Sequence, residues 1–517
     1  MTSFIDSLSI AQSIALVGAT TLGLLSIKYH DRALFTEKRQ GIPFVEGAPI
    51  VGGLIHQLKN KDVLLDDVVE AMRKYDALTV YATALGLPST VMTTDPDNVE
   101  YLLKGNFSNY VKGPQMLSAM GDLFGHGIFV ANGTQWKWQR KAASLIFNVV
   151  NFRDYFSEVD LMSTRIFDKK AENGRSMDFH DVIYKFTLDS FVLIGFGKQL
   201  NALLSKDKVP FAASFDICQT NCFERFVDPF TNLRDMLKPI LQPGSLRIKQ
   251  HLEIIDDFAY TLIRERREQM KSGGEFKDLL SRFMNAKNEN NETLSDKELR
   301  DTVLNFIIAG RDTTAQALSW TFYNLMLHPR VEAKLLDEIK QYIPGEMQSL
   351  DAPEVYEIIK KMTYAHAVFY EAGSLMHNKI NVLRLYPSVP NNVKVALEDD
   401  VFPDGTIIKK GDSVGWSTYA MARNEKLWGS DAKSFKPERW LSEDGELKRE
   451  SAGQWPVFHA GPRICLGQHL ATLEALIAIV MLLKRYKFSL VPSQTITYDL
   501  SLTHPMRYGM HVFIERR

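Results

Sequence analysis

The residues best suited to chemistry lie in two short stretches. The first is Phe458-His459-Ala460-Gly461-Pro462-Arg463-Ile464-Cys465-Leu466-Gly467, a turn-rich loop that presents one cysteine just before an apolar run. A thiolate near a helix start is stabilised by the helix dipole and by nearby positive charge, here Arg463. Gly461 and Gly467 permit turns and the close approach of a flat ligand, and Phe458 can shield the sulfur from water. A lone loop cysteine is ordinarily structural, but one with these neighbours at set spacings is a candidate metal ligand. The second stretch is Ala309-Gly310-Arg311-Asp312-Thr313-Thr314. Gly310 costs a helix about 1 kcal/mol relative to alanine. Adjacent polar residues after the apolar run from Val303 also call for a reason. One is a kink in which a hydroxyl bonds back to the preceding turn; the other is a functional groove.

The 517 residues contain three cysteines, too few and too odd a number for a disulfide framework, which indicates a reducing compartment. Cys218 and Cys222 share a helix face at i, i+4 and read as packing residues. Trp136 and Arg140 also stand at i, i+4, on one face of a helix. Alone, that pair reads as a core tryptophan beside a surface arginine. Phe435-Lys436-Pro437-Glu438-Arg439-Trp440 reads equally as a surface turn or as a site segment.

These residues need long helices to hold them. Ser295 and Glu298 form a capping-box pair, and no proline follows until Pro329. The helix between has room for about 30 residues, roughly 45 Å. A second helix is expected over residues 466–483, after Cys465. Strand-like runs are short, at 78–81, 90–93 and 407–408 after an Asp404-Gly405 turn. The fold class is mainly α (α+β), one large helical domain with a smaller β-rich region. No linker or repeat divides it, and a net charge of -1 gives no reason to expect nucleic acid.

No charge falls between Asp6 and Lys28, and residues 10–27 are mostly apolar, close to a membrane-spanning length. Asp6 argues against a cleaved secretory signal. Lys28, Arg32, Lys38 and Arg39 then keep the large domain cytosolic. The expected order is a membrane anchor at 1–30, a proline-containing hinge at 31–55 and a catalytic domain at 56–517. A buried or peripheral N-terminal helix is the alternative.

The cysteine loop resembles the haem-binding loop of cytochromes P-450: Phe, two residues, Gly, one, Arg, one, Cys, one, Gly. The resemblance implies the P-450 fold, haem b with Cys465 as axial thiolate ligand of the iron, and Arg463 on a propionate. Thiolate ligation pushes electron density onto iron and favours O–O cleavage. Trp136 and Arg140 match the family's propionate-facing helix. Ala309-Gly310-Arg311-Asp312-Thr313-Thr314 looks like its oxygen-activation motif, with Gly310 in a dioxygen groove, Thr313 hydrogen-bonding oxygen and Asp312 relaying protons. Arg439 would complete a structural network with Glu371 and Arg384.

The chain departs from the family at that network. The family pattern Glu-x-x-Arg appears here only if residues 373–382 are removed, when Glu371-Ala372 would run into Leu383-Arg384. As written, Glu371 and Arg384 cannot be neighbours on one continuous helix turn. The ten residues are either a looped-out insertion or translated non-coding sequence such as an unspliced intron. Interruption of a motif at its centre favours the second and implies poor folding around haem.

The implied activity is insertion of one oxygen atom from dioxygen into a lipophilic substrate, at the endoplasmic reticulum membrane on a single-pass anchor. Electrons would come from NADPH through a flavoprotein reductase docked near Lys137, Arg140 and Lys141. The cysteine loop and Leu385-Tyr386-Pro387-Ser388-Val389-Pro390 look like the fatty-acid and alkane hydroxylase branch. Steroid or xenobiotic hydroxylation is the alternative, with Phe306 and Val389 as pocket candidates. A reductase-independent haem-thiolate isomerase or dehydratase would dispense with Asp312 and Thr313. A non-catalytic haem or lipid binder would follow if residues 373–382 disrupt the site.

Overall fold

The computed structural model describes residues 10–144, 152–205, 208–276, 278–288, 291–345, 352–371, 384–448 and 451–517. Helices that frame the site are α1 (Ile10–Lys28), α2 (Leu64–Lys74), α3 (Gly113–Phe124), α4 (Gly133–Ser144), α5 (Phe179–Phe196), α6 (Pro210–Val227), α7 (Thr231–Leu241) and α8 (Ile248–Lys271). Then follow α9 (Asp296–Ile307), α10 (Thr313–Leu327), α11 (Thr363–Glu371) and α12 (Gln468–Arg485). A π-helical turn, Ile308–Asp312, joins α9 to α10, so the long helix predicted from the sequence is helical throughout from Asp296 to Leu327. Ser295 and Glu298 make the reciprocal capping box: the Glu298 carboxylate accepts from Ser295 N at 2.9 Å, and Ser295 Oγ accepts from Glu298 N at 3.3 Å.

Strands are short and peripheral: β1 (Phe44–Val45), β2 (Thr79–Ala82), β3 (Thr90–Thr93), β4 (Tyr110–Val111), β5 (Met177–Asp178) and β6 (Asn391–Ala396). After them come β7 (Asp400–Val401), β8 (Ile407–Ile408), β9 (Ser413–Ser417), β10 (Tyr486–Leu490) and β11 (His511–Arg516). A mixed sheet runs β1-β2-β3-β9-β6-β4, a smaller one β10-β11-β5, and β7 pairs with β8. Parallel pairing of β3 with β9, Val91 opposite Val414, brings residues far apart in sequence together.

Two apolar clusters flank the long helix. α3, α6, α8 and α9 pack into one that takes in Val303, Leu304, Ile307 and Ile308. α10 and α12 lie in the other, from Ala315 to Leu325 and from Leu473 to Leu483. The π turn sits where the helix passes between them. α12 is buried on nearly every face, as its unbroken apolar run requires.

The apolar run at the N-terminus does form a helix. No helix among the described residues, α1 included, is long and apolar enough to cross a membrane. The proline-containing connector is not free: β1 lies within it and pairs with β2, and Ile50 N donates to Tyr29 O at 2.9 Å. Phe306, a pocket candidate, is a core residue with its ring 5.7 Å from that of Phe283. Cys218 and Cys222 are buried among apolar neighbours, and burial pushes the Cys218 thiol up to about 12.

Candidate active site

The cysteine loop is held by its own backbone. Cys465 N donates to Phe458 O at 2.9 Å, closing the loop, and α12 starts three residues after the cysteine. His459 takes φ +62°, unusual for a residue with a side chain. Gly461 also takes φ +62°, and a Cβ there would lie 2.1 Å from Leu103 O, so only glycine fits. Gly467 has φ -87°, which any residue adopts, so no turn requires glycine at that position. Phe458 is half-buried against the larger apolar cluster.

Cys465 is exposed, yet desolvation by the surrounding protein is the leading influence on its thiol and pushes its pKa up. Backbone N–H groups of Gly467 and Gln468, and the charge of Arg140, oppose that shift. Those amides belong to the start of α12, where a thiolate is favoured. Leu466 packs against the apolar cluster to which Val303, Leu304, Ile307 and Ile308 of the long helix also belong.

Near the cysteine loop stands a group of basic residues, of which Arg140 interacts with the Cys465 sulfur. The Arg463 guanidinium lies 4.5 Å from the Trp136 ring centre and donates to Ala131 O at 2.7 Å. Arg140 lies 6.0 Å from the same ring, so α4 presents Trp136 and Arg140 as the i, i+4 spacing predicts. Asn132 Oδ1 accepts from both Lys112 N and Arg463 Nη2, at 3.0 and 3.3 Å. Lys394 on β6 is 1% exposed and gives its ammonium to Leu102 O at 3.1 Å. Desolvation lowers Arg463 to about 10 and Lys112 to about 7, and each feels a neighbouring cation. Among the described residues none of Lys112, Arg140, Lys394 and Arg463 forms an ion pair with a carboxylate. Lys112 and Lys394 were not legible as site residues, because a lone lysine in sequence carries no signal of burial.

On the long helix, the π turn delivers Asp312 and Thr313. Thr313 Oγ1 donates to Ala309 O at 2.6 Å, the back-bond expected of a hydroxyl in a distorted helix. Single π turns often mark functional sites. Asp312 is 2% exposed, and its Oδ2 accepts from Gln219 Nε2 at 2.9 Å. Burial raises Asp312 to about 6 against the opposing charge of Arg311. Gly310 has a packing reason beside the expected groove: a Cβ there would lie 1.9 Å from the Phe191 ring of α5. Glu474, in the first half of α12, is a further buried carboxyl pushed up to about 8 by desolvation.

The three-charge network assembles. Arg384 donates from Nε to Glu371 Oε2 at 3.0 Å and from Nη2 to Oε1 at 2.5 Å, both residues being fully buried. Arg439 Nε reaches Glu371 Oε1 at 3.5 Å, and Trp440 Nε1 donates to Oε2 at 2.7 Å. Residues 373–382 lie outside the described residues. Glu371 lies on α11 and Arg384 in a bend thirteen positions later, and the pair forms between them.

A cysteine ahead of a buried helix, a cation group and a π turn bearing Asp-Thr also agree with the comparisons. The Cytochrome P450 family model matches residues 43–508. The chain belongs to the cytochrome P450 family. It is similar to cytochrome P450 704B1 of Arabidopsis thaliana, 36% identical over 512 residues, covering 91% of this chain and 94% of that protein. Cytochrome P450 monooxygenase cyp1 of Mycosarcoma maydis is 33% identical, covering 94% of this chain and 77% of its own length. The fold matches the crystal structure of cytochrome P450DA haem domain with a TM-score of 0.75 at 22% identity, over 92% of this chain and 98% of that one. The chain is a cytochrome P450 monooxygenase, and its cofactor is haem with thiolate-bound iron.

The residues present fit that cofactor. A flat dianionic ring needs a thiol on one face and cations at one edge. This cytochrome P450 has an exposed thiol, and near it basic side chains with no carboxylate ion pair among the described residues. Buried charges are normally paired, and two propionates would supply the missing partners.

Proposed function

We propose that Cys465 ligates the haem iron and that the chain hydroxylates fatty acids or related long-chain lipids. The observation that carries the ligand assignment is the exposed Cys465 in a loop closed by its own backbone, immediately ahead of the start of α12. Bound haem supplies oxygen activation, with thiolate ligation favouring O–O cleavage. Trp136, Arg140 and Arg463 hold the propionates, and Phe458 limits water at the sulfur. Glu371, Arg384 and Arg439 fix the loop framework around Trp440. Thr313 offers a hydroxyl proton at Oγ1, and Asp312 holds the proton that replaces it. With its pKa near 6, Asp312 exchanges protons close to neutral pH at little cost.

The fatty-acid reading rests on the likeness of the 458–468 and 385–390 motifs to that branch. Membrane attachment at the endoplasmic reticulum rests on α1, whose Ile10, Ile14, Val17, Leu24 and Ile27 are all exposed. At 19 residues it lies just short of the roughly 20 that a spanning helix uses. Lys28 at its end keeps the catalytic domain on the cytosolic side. Exposed Lys137 and Lys141 on α4 suit a flavoprotein reductase that draws on NADPH.

The test is a Soret titration and NADPH-driven turnover with added reductase, using lauric, palmitic and oleic acids beside testosterone. Hydroxylated fatty acid is the expected product. Turnover of the steroid alone would overturn the substrate assignment, and a carbon-monoxide haem-thiolate spectrum surviving Cys465→Ser would overturn the ligand.

A further inference from the structure

Arg311 has no task in the reading above. A guanidinium inside a buried helix is costly unless paired, and this one is 3% exposed. Its Nη1 donates to Asp216 Oδ1 on α6 at 2.7 Å and lies 3.2 Å from Asp312 Oδ1. Its plane also approaches the Tyr184 ring, 4.8 Å from the centre. The two carboxylates differ sharply in access to water. The Asp216 side chain is 52% exposed and that of Asp312 only 3%. Asp216 borders a surface cavity of about 470 Å³ between α6, α7 and the start of α8, with Thr220, Asn221 and Glu224 on its wall.

Hydrogen bonding around Arg311 is incomplete in a consistent direction. Asp312 Oδ2 is met by Gln219 and, at 3.5 Å, by Thr503, but Oδ1 has only the ion pair. Arg311 Nε, Gln219 Oε1 and Thr314 Oγ1 likewise lack a hydrogen-bond partner among the described residues. Buried polar atoms are almost always hydrogen-bonded, to water where protein does not reach. Gln219 and Asp216 of α6 meet Asp312 and Arg311 of the π turn, so all of these atoms but Thr314 Oγ1 belong to residues joined at that contact.

We propose that Arg311 is a positioning residue that couples Asp312 to solvent through Asp216. Held by Asp216, Arg311 leaves Asp312 able to take a proton from water in the seam. Turned to Asp312, it holds that group as carboxylate. Each transfer moves one proton between oxygen atoms, from water at the cavity to Asp312 and onward to the Thr313 side. No oxidant or reductant is consumed in this exchange.

The groups facing Asp312 fix the sign of the effect. Arg311 lowers its pKa and Asp216 raises it, while burial is the largest influence and also raises it. From α5, Tyr184 is pushed well up and His180 down to about 4, so both are neutral near pH 6. Gln219 of α6 and Thr503 donate hydrogen bonds without titrating. Removing the Asp216 charge therefore lowers Asp312 twice, by losing a repulsion and by freeing Arg311.

Infrared difference titration of the ferric holoenzyme reads this directly, with the Asp312 carboxyl band identified as the one absent from Asp312→Asn. The expected midpoint is near 6 in the wild type. Asp216→Asn should lower it by about one pH unit or more, a tenfold change in proton affinity. Arg311→Gln should raise it. Asp216→Asn is near-isosteric at a half-exposed position, so it decides the matter even if the arginine variant does not fold. An unmoved or raised midpoint in Asp216→Asn overturns the proposal, as does the lack of any titrating band lost in Asp312→Asn.

Discussion

Arg384 grips Glu371 with two hydrogen bonds, at 3.0 and 2.5 Å, although the residues stand thirteen positions apart. Both are fully buried, and Arg384 also donates to the carbonyls of Ala422, Ala432 and Ser434. Breaking a buried pair from one side strands a charge at about 3–5 kcal/mol. Glu371→Gln should therefore lower the unfolding midpoint strongly and reduce the carbon-monoxide haem-thiolate signal per mole of protein. A stability within about 1 kcal/mol of wild type would show that the pair is dispensable.

The same pair bears on residues 373–382. Glu371 and Arg384 are joined in the full-length chain, so the network itself forms with residues 373–382 in place. The intact chain and the 373–382 deletion should give similar carbon-monoxide difference spectra per mole. A several-fold gain on deletion would restore the translated non-coding explanation.

Thr313 Oγ1 is bonded back to Ala309 O at 2.6 Å, poised to exchange that partner without moving the helix. Thr313→Ala should cut hydroxylated product by about 10²-fold, the lower end for a positioned proton donor. NADPH oxidation should persist, with hydrogen peroxide as its product. Equal product per NADPH in both proteins would remove Thr313 from the chemistry.

Lys112 shares Asn132 with Arg463 and has no carboxylate ion pair among the described residues. Lys112→Met should speed haem transfer to apomyoglobin by about tenfold, equivalent to about 1.4 kcal/mol. Rates that match the wild type would mean that the propionates are neutralised without it.

Glu474 sets a slope of stability with pH. Its folded pKa, raised to about 8, exceeds the unfolded value of about 4.3, so the folded state binds the extra proton between them. That contribution is complete below about pH 4.3 and is lost as pH rises toward 8. Glu474→Gln should flatten the decline by up to about 1.4 kcal/mol per pH unit. Denaturant midpoints across that range check it, and parallel curves would place the carboxyl in a solvated setting.

Several elements of this cytochrome P450 follow from local sequence. Ser295 and Glu298 start the long helix because their reciprocal bonds need only three residues of spacing. The Cys465 loop is legible because its turn residues and the following helix dipole act within a few positions. Trp136 and Arg140 share a face for the same reason. One reason for Gly310 was not legible: Phe191, more than a hundred residues away, meets any Cβ placed there, and no local pattern reports a packing neighbour. Tertiary structure alone joined Glu371 to Arg384, gathered Lys112 and Lys394 beside Arg463, and placed Asp216 and Gln219 against the π turn. Burial decides the chemistry of those groups, raising Asp312 and lowering Lys112 by desolvation. Sequence names the ionisable residues, but only the assembled fold sets how much water each one keeps.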